Sequence, residues 1–255
     1  MKKITELNIY FTTGLALFAM FFGAGNIVFP LMLGATAGKH FSYALIAFLI
    51  SGVGMPMMGL YTVGLYKGNY WEFFNILGKI PAFIIVTFLI FIIGPLFAAP
   101  RTEIVVYESL SHFLPEFFHA HFFFSLLYFT IVFILVFNKQ RVLDVIGKGI
   151  SPIKLCTFFI LIIASIIGKH AYFNSEEQSL LPVVNNAFAA GYSTMDLLGA
   201  FFYSHVAYAS ILFKCKQKNI VSEKEIATIH LKSCIIGGLL LSIIYAGFAY
   251  CQTSP

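Results

Sequence analysis

The residues best suited to chemistry fall in two short stretches far apart in the chain. The first, FAMFFGAGNIVFP (residues 18–30), sets Gly23, Gly25 and Asn26 inside an apolar run. The second, AAGYSTMDLLGAFFYSH (residues 189–205), concentrates Gly191, Ser193, Thr194, Asp196, Gly199, Ser204 and His205 inside another. Glycine lowers helix propensity by about 1 kcal/mol relative to alanine. The Asn26 amide competes for backbone groups, and Pro30 lacks a donor one turn later. An interruption is therefore predicted between residues 22 and 30. Amides freed at a half-helix N-terminus attract a carboxylate, and freed carbonyls coordinate a small cation. The same glycines would also serve as a notch for a neighbouring helix, and the first stretch by itself leaves both readings open.

The elements that must position these residues are read from the rest of the chain. Of 255 residues, 59% are hydrophobic and only 11% charged, with a mean hydropathy of +0.88. A soluble domain of this size has no interior for so much apolar surface, and repeated spans of about 20 apolar residues are the expected solution. Seven apolar runs cover residues 9–33, 41–66, 81–110, 117–137, 145–168, 182–213 and 229–251. They are too long and continuous for alternating barrel strands of about 10 residues. The fold class expected is an all-α polytopic membrane protein of about seven transmembrane helices, forming a single transmembrane domain over residues 1–255. The opening MKK, apolar stretch and GAG also look like a secretory leader. The apolar run continues to Leu33, however, and six more follow, so a first membrane helix is expected instead.

With the N-terminus inside, thirteen of the 16 lysines and arginines fall on the inner side and only Lys39, Arg101 and Lys169 on the outer, the bias of a cytoplasmic N-terminus. The net charge of +5 thus belongs to inner loops facing a lipid bilayer, and no nucleic-acid partner is expected. Cys156, Cys215, Cys234 and Cys251 lack metal-ligand spacing and read as small apolar residues. There is no HExxH, P-loop or GxSxG pattern. Neither an enzyme nor a resident metal or cofactor is expected.

The first and sixth runs lie five apart and so enter the membrane from opposite sides. Paired interrupted helices at corresponding positions of an inverted repeat point to a midplane transport site, which favours the binding reading of residues 22–26. Asp196, an acidic residue inside a run, either takes part in ion coupling or gating or caps a half-helix. His205 either relays protons or hydrogen-bonds within the bundle. Pro95 and Pro100 predict a kink in the third run. Arg101, reckoned from Pro81 at about 1.5 Å per residue, reaches the outer boundary. There it either gates the mouth with Glu103 or Glu108 or snorkels to the interface.

GLALFAMFFGAGNIVFP (residues 14–30), GPLFAAPRT (94–102) and GYSTMD (191–196) resemble the bacterial branched-chain amino acid:cation symporter family, in consistent order from the first run through the seventh. The resemblance implies an inner-membrane carrier of leucine, isoleucine and valine, with sodium as the coupling ion. It also implies a five-plus-five inverted repeat of the leucine-transporter type with helices one and six broken. The first repeat would cover about 9–168, and the second would start over about 182–251. Carried over by position, Phe22, Gly23, Ala24, Gly25 and Asn26 line the substrate and ion site, and Ser193, Thr194 and Ser204 face it from helix six. Asn26, Asp196 and Arg101 are the candidates for ion binding or gating; the resemblance fixes neither the ion ligands nor sodium against protons. A repeat of that type needs ten helices, so the C-terminal half of the carrier is expected to be missing. The alternative expected is a truncated or split-carrier subunit that works only with a second chain carrying the remaining helices.

Overall fold

Long runs of leucine, isoleucine and phenylalanine satisfy their backbone groups in a membrane only as helices, and helix is what they form. The computed structural model describes residues 2–23, 25–113, 121–136, 151–167, 179–217 and 222–252, and no strand occurs among them. Four helical stretches are long and apolar enough to cross a membrane: Gly38–Leu65, Lys79–Leu110, Leu180–Gln217 and Glu223–Cys251. A bent pair, α1 (Lys2–Phe21) and α2 (Gly25–Thr36), makes a fifth if counted as one span, its two limbs meeting at 74°. The runs expected at 117–137 and 145–168 appear as α8 (His121–Val136) and α9 (Ser151–Ile167), of 16 and 17 residues. Both are shorter than the roughly 20 residues a span needs, and parts of both runs lie outside the described residues. The count among those residues is therefore four or five spans, not seven.

The second span joins α3 (Phe41–Leu49) to α4 (Met55–Leu65) through a π-helical turn, Ile50–Gly54. A hairpin turn and the short α5 (Tyr70–Phe74), capped by Asn69 accepting from the Glu72 amide at 3.3 Å, lead to the third span. There Lys67, at the turn, pairs with Glu223 at 2.6 Å, and that carboxylate raises the lysine's pKa. Both partners are exposed, so the pair adds little to stability.

The third span carries the predicted kink. α6 (Lys79–Phe91) passes through a π-helical turn, Ile92–Leu96, into α7 (Ala98–Leu110), and Gly94 departs from helical geometry at φ −84°, ψ −112°. Pro95 lies in that turn, whereas Pro100 sits in the first turn of α7, where a missing N–H disrupts nothing. The sixth run is α10 (Leu180–Tyr192) and α11 (Asp196–Gln217), separated by a break at 193–195. The seventh is α12 (Glu223–Cys251).

α12 lies along α1 and α2 with residue numbers rising together. Ile9 clusters with Ile226 and Ile229, Gly14 meets Ser233 and Ile236, Gly237 meets Leu17, and Gly34 meets Ala249. Small residues form this seam because a Cβ would collide: at Gly14 it would sit 2.8 Å from Ile236 Cβ and 3.1 Å from the Ser233 carbonyl. The two helices run parallel. Their shared core, with Phe18, Phe22, Leu241, Ile244, Tyr245 and Phe248 buried, fixes the first break against the middle of α12.

Candidate functional site

Both breaks are held by their own polar side chains. In the first, the Gly23 amide donates to Asn26 Oδ1 at 3.2 Å, and the Asn26 amide returns a bond to the Gly23 carbonyl at 3.2 Å. In the second, α10 ends in a turn in which Met195 takes a left-handed φ of 64°. A side chain in that conformation costs roughly 1–2 kcal/mol, and such strain is characteristic of functional breaks. Thr194 donates its hydroxyl to the Gly191 carbonyl at 2.8 Å and accepts from the Asp196 amide at 3.4 Å. This sets Asp196 in the first turn of α11, aimed at the other break.

Asn26, Asp196 and Tyr245 there form a closed ring. Asn26 Nδ2 donates to Asp196 Oδ2 at 2.7 Å and also to the Tyr245 hydroxyl, and that hydroxyl donates to Asp196 Oδ2 at 2.9 Å. Asn26 is 3% exposed, Asp196 6% and Tyr245 0%, so all three exchanged water for one another. Unpaired, each buried group would cost roughly 1–3 kcal/mol.

Asn26 and Asp196 of this ring line a cavity of about 140 Å³ between the two breaks and the kinked third span, with Tyr245 behind them. Gly23, Gly25 and Asn26 line it from the first break, and Thr194, Asp196, Gly199 and Tyr203 from α11 and the turn before it. Arg101, Thr102 and Val105 face them from α7, with Ile93 and Phe21 among the apolar remainder. Arg101 spans the opening: Nη1 donates to the Ser193 carbonyl at 2.7 Å, and the guanidinium lies 4.8 Å from the Phe29 ring. A carboxylate and a guanidinium thus share one small, otherwise largely apolar chamber. Such a chamber can hold both ends of a zwitterion and a short aliphatic chain, or a cation beside the carboxylate.

Of the residues singled out from sequence, Gly23, Gly25, Asn26, Thr194, Asp196 and Arg101 come together here. Ala24 lies outside the described residues. Phe22 turns away, its ring 4.4 Å from that of Phe158 and 6.0 Å from that of Tyr245. Ser193 contributes its carbonyl to Arg101, while its hydroxyl bonds the Ala189 carbonyl at 2.9 Å. Ser204 is not on the cavity; fully buried, it donates to the Leu60 carbonyl at 2.8 Å and ties α11 to α4. His205 Nδ1 meets the Gly68 carbonyl at 3.1 Å, a bond within the bundle. The pairing of Arg101 with Glu103 is not made. Two residues along a helix lie on opposite faces, and Glu103 is turned to α8, where Ser125 donates to it at 2.9 Å and His121 Nε2 lies at 3.4 Å.

Among the participants that the sequence reading did not single out are Tyr245, Tyr203 and Phe21, and Ile93, Thr102 and Val105 of the third span. Asp196, Gly199 and Tyr203 follow the i, i+3, i+7 spacing of one helix face, which would have selected Tyr203 over Ser204. Tyr245 carries only the weak signal of a hydroxyl in the apolar stretch LLLSIIYAGF.

The sequence profile of the family described as "Branched-chain amino acid transport protein" matches residues 7–254. Among curated relatives, branched-chain amino acid permease BraB of Bacillus subtilis (strain 168) is 33% identical over 98% of this chain and 56% of its own length. Branched-chain amino acid permease BrnQ of the same strain is 29% identical over 100% of this chain and 58% of its own length. A putative branched-chain amino acid carrier protein of Staphylococcus aureus (strain MRSA252) is 32% identical over 93% of this chain and 54% of its own length. The chain therefore spans a little over half the length of these relatives. No solved structure matches it.

Proposed function

This chain belongs to the branched-chain amino acid transport protein family, and from that premise we propose that it carries one branched-chain amino acid at a time, with sodium, through the cavity between its two breaks. One observation carries the reading: the broken first and sixth runs, the features that pointed to a transport site, open onto the same chamber, with Asp196 and Arg101 both on its walls. In the proposed pose the substrate carboxylate faces Arg101 and the first turn of α2. The coupling cation and the substrate ammonium share the side nearer Asp196, and the aliphatic chain lies toward Phe21, Ile93 and Val105. The volume supports a small solute, since a cavity of about 150 Å³ holds benzene and none of this size holds a peptide. Discrimination among leucine, isoleucine and valine rests on about 1–3 kcal/mol per methylene. Access would alternate by rocking of one bundle against another within a five-plus-five inverted repeat, in the inner membrane with the N-terminus cytoplasmic.

The test is initial-rate uptake of radiolabelled leucine by cells expressing the gene from its native locus, against a deletion strain. Saturable uptake, competed by isoleucine and valine but not by lysine or glutamate and lost when choline replaces sodium, is expected. Equal uptake in the deletion strain, or competition by lysine, would overturn the reading. A second reading, that the 255 residues act only together with further spans, is favoured by their covering 54–58% of the relatives' length. Leucine uptake by the purified 255 residues alone in liposomes would exclude it.

A further inference from the structure

We infer that Tyr203, packed against the bare backbone of Gly199, is the stop that limits how long a side chain the chamber accepts, an inference that rests on the carrier reading above. Both residues line the cavity from α11, on the face that also carries Asp196. Side chains on a helix lean toward its N-terminus, so the residue at i+4 covers the position at i. The Tyr203 ring accordingly lies over Gly199. A Cβ built there would sit 2.9 Å from Cε2, 3.2 Å from Cζ and 3.5 Å from Cδ2, and these are the three atoms nearest to it. Gly14, Gly34 and Gly237 make room for a neighbouring helix, whereas Gly199 makes room for a side chain of its own.

A second ring holds the first from the side. Phe21, at the end of α1, is buried and meets Tyr203 edge-on, with centroids 5.1 Å apart and planes at 85°. No hydrogen bond to a described residue ties the Tyr203 hydroxyl, so packing sets the ring's place. With the α11 backbone behind it and Phe21 beside it, the ring can yield only toward the chamber that it lines.

Asp196 and Gly199 are three residues apart, about 4.5 Å along the helix axis. In the proposed pose the substrate ammonium lies on the Asp196 side. The side chain then runs a short way down α11 and past Phe21 before it meets the ring over Gly199. Branched aliphatic chains fill that distance, and a phenyl ring overruns it.

Gly199→Ala shortens the chamber without harming its frame. Gly199 has no left-handed φ, and alanine is the better helix former, so the backbone accepts the change. Carbon contacts settle at about 3.5–4.0 Å, so the ring is pushed roughly 0.6–1.1 Å away from α11. The longest side chains lose most. Initial-rate uptake of radiolabelled valine, by cells with each variant at the native locus, is competed with unlabelled valine, leucine and phenylalanine. In Gly199→Ala the inhibition constant of leucine relative to that of valine should rise at least about tenfold, the lower end of what one methylene is worth in a close-fitting pocket. In Tyr203→Leu, which removes the ring, phenylalanine should gain at least about tenfold relative to valine. The double variant Gly199→Ala/Tyr203→Leu should return the leucine-to-valine ratio to within about threefold of the wild type, because the new Cβ no longer meets a ring.

Abundance in membranes, read by immunoblot, normalises the rates; a structural role would lower uptake of every amino acid together and leave the ratios unmoved. If Gly199→Ala does not accumulate, the phenylalanine ratio in Tyr203→Leu decides. Wild-type ratios in the variants that accumulate overturn the inference. So does a double variant as poor for leucine as Gly199→Ala. Absence of leucine uptake by the wild type would instead strike the carrier reading itself.

Discussion

A methyl group at Gly25 probes the joint between the two breaks at a single atom. Gly25 is not among the glycines with positive φ, so alanine can adopt its backbone and the effect is steric. The new Cβ would lie 2.5 Å from Arg101 Nη2, 3.1 Å from its Cζ and 3.6 Å from Phe29 Cε2. Carbon contacts settle at about 3.5–4.0 Å, so the guanidinium retreats by roughly 1 Å, and the 2.7 Å bond from Nη1 to the Ser193 carbonyl stretches beyond hydrogen-bond range. A bond from a charged donor contributes about 1.5–3 kcal/mol and an exposed cation–π contact about 0.5–1 kcal/mol. Arg101 is only part-buried, and water replaces much of what is lost, so a net loss of about 1 kcal/mol is expected. That is roughly fivefold in leucine affinity. Arg101→Ala forfeits the same contacts. The double variant should therefore fall no further than Arg101→Ala alone, a coupling of about 1 kcal/mol. Competition of labelled leucine by unlabelled leucine, in membranes from cells expressing each variant at its native locus, measures all four corners of the cycle. Independent losses that multiply, or wild-type affinity in Gly25→Ala, would refute the proposed joint.

Ser204→Ala should lower thermal stability in detergent by roughly 0.6 kcal/mol, the average for a hydrogen bond between membrane helices, and leave the KM for leucine unchanged; a raised KM would return Ser204 to the cavity. Single cysteines replacing Lys39 and Lys216, in a variant without the four native cysteines, should label oppositely with an impermeant thiol reagent. Lys39→Cys is expected to react from outside and Lys216→Cys only after the membrane is opened, and equal labelling would contradict a cytoplasmic N-terminus.

What could be read from sequence was what local chemistry decides. Gly23, Gly25 and Asn26 break their helix with their own backbone and amide, and Ser193, Thr194 and Met195 make a turn from bonds within a few residues. The kink at Gly94 and Pro95 is equally local. Which neighbour faces the cavity is a matter of rotation. Phe21 and Phe22 are one residue apart, hence about 100° apart on a helix; packing against Phe158 and Tyr245 turned Phe22 away and left Phe21 on the chamber. Tyr245 was illegible for a different reason: its role exists only because α12 lies parallel to α1, bringing a hydroxyl to two partners distant in the chain. The resemblance to a transporter family could not supply it either, since it carried only positions in the three motifs.

The most direct test of the central claim is the sodium dependence of leucine uptake in Asp196→Asn, expressed from the native locus and normalised to carrier in the membrane. Asparagine keeps the shape and can still accept from Asn26 and Tyr245, but it has no charge to offer a cation. If the chamber between the breaks is where ion and substrate meet, this variant reaches the membrane at wild-type abundance, and its sodium-stimulated uptake falls at least about tenfold. Wild-type uptake with wild-type sodium dependence in Asp196→Asn would place the transport site elsewhere in the bundle.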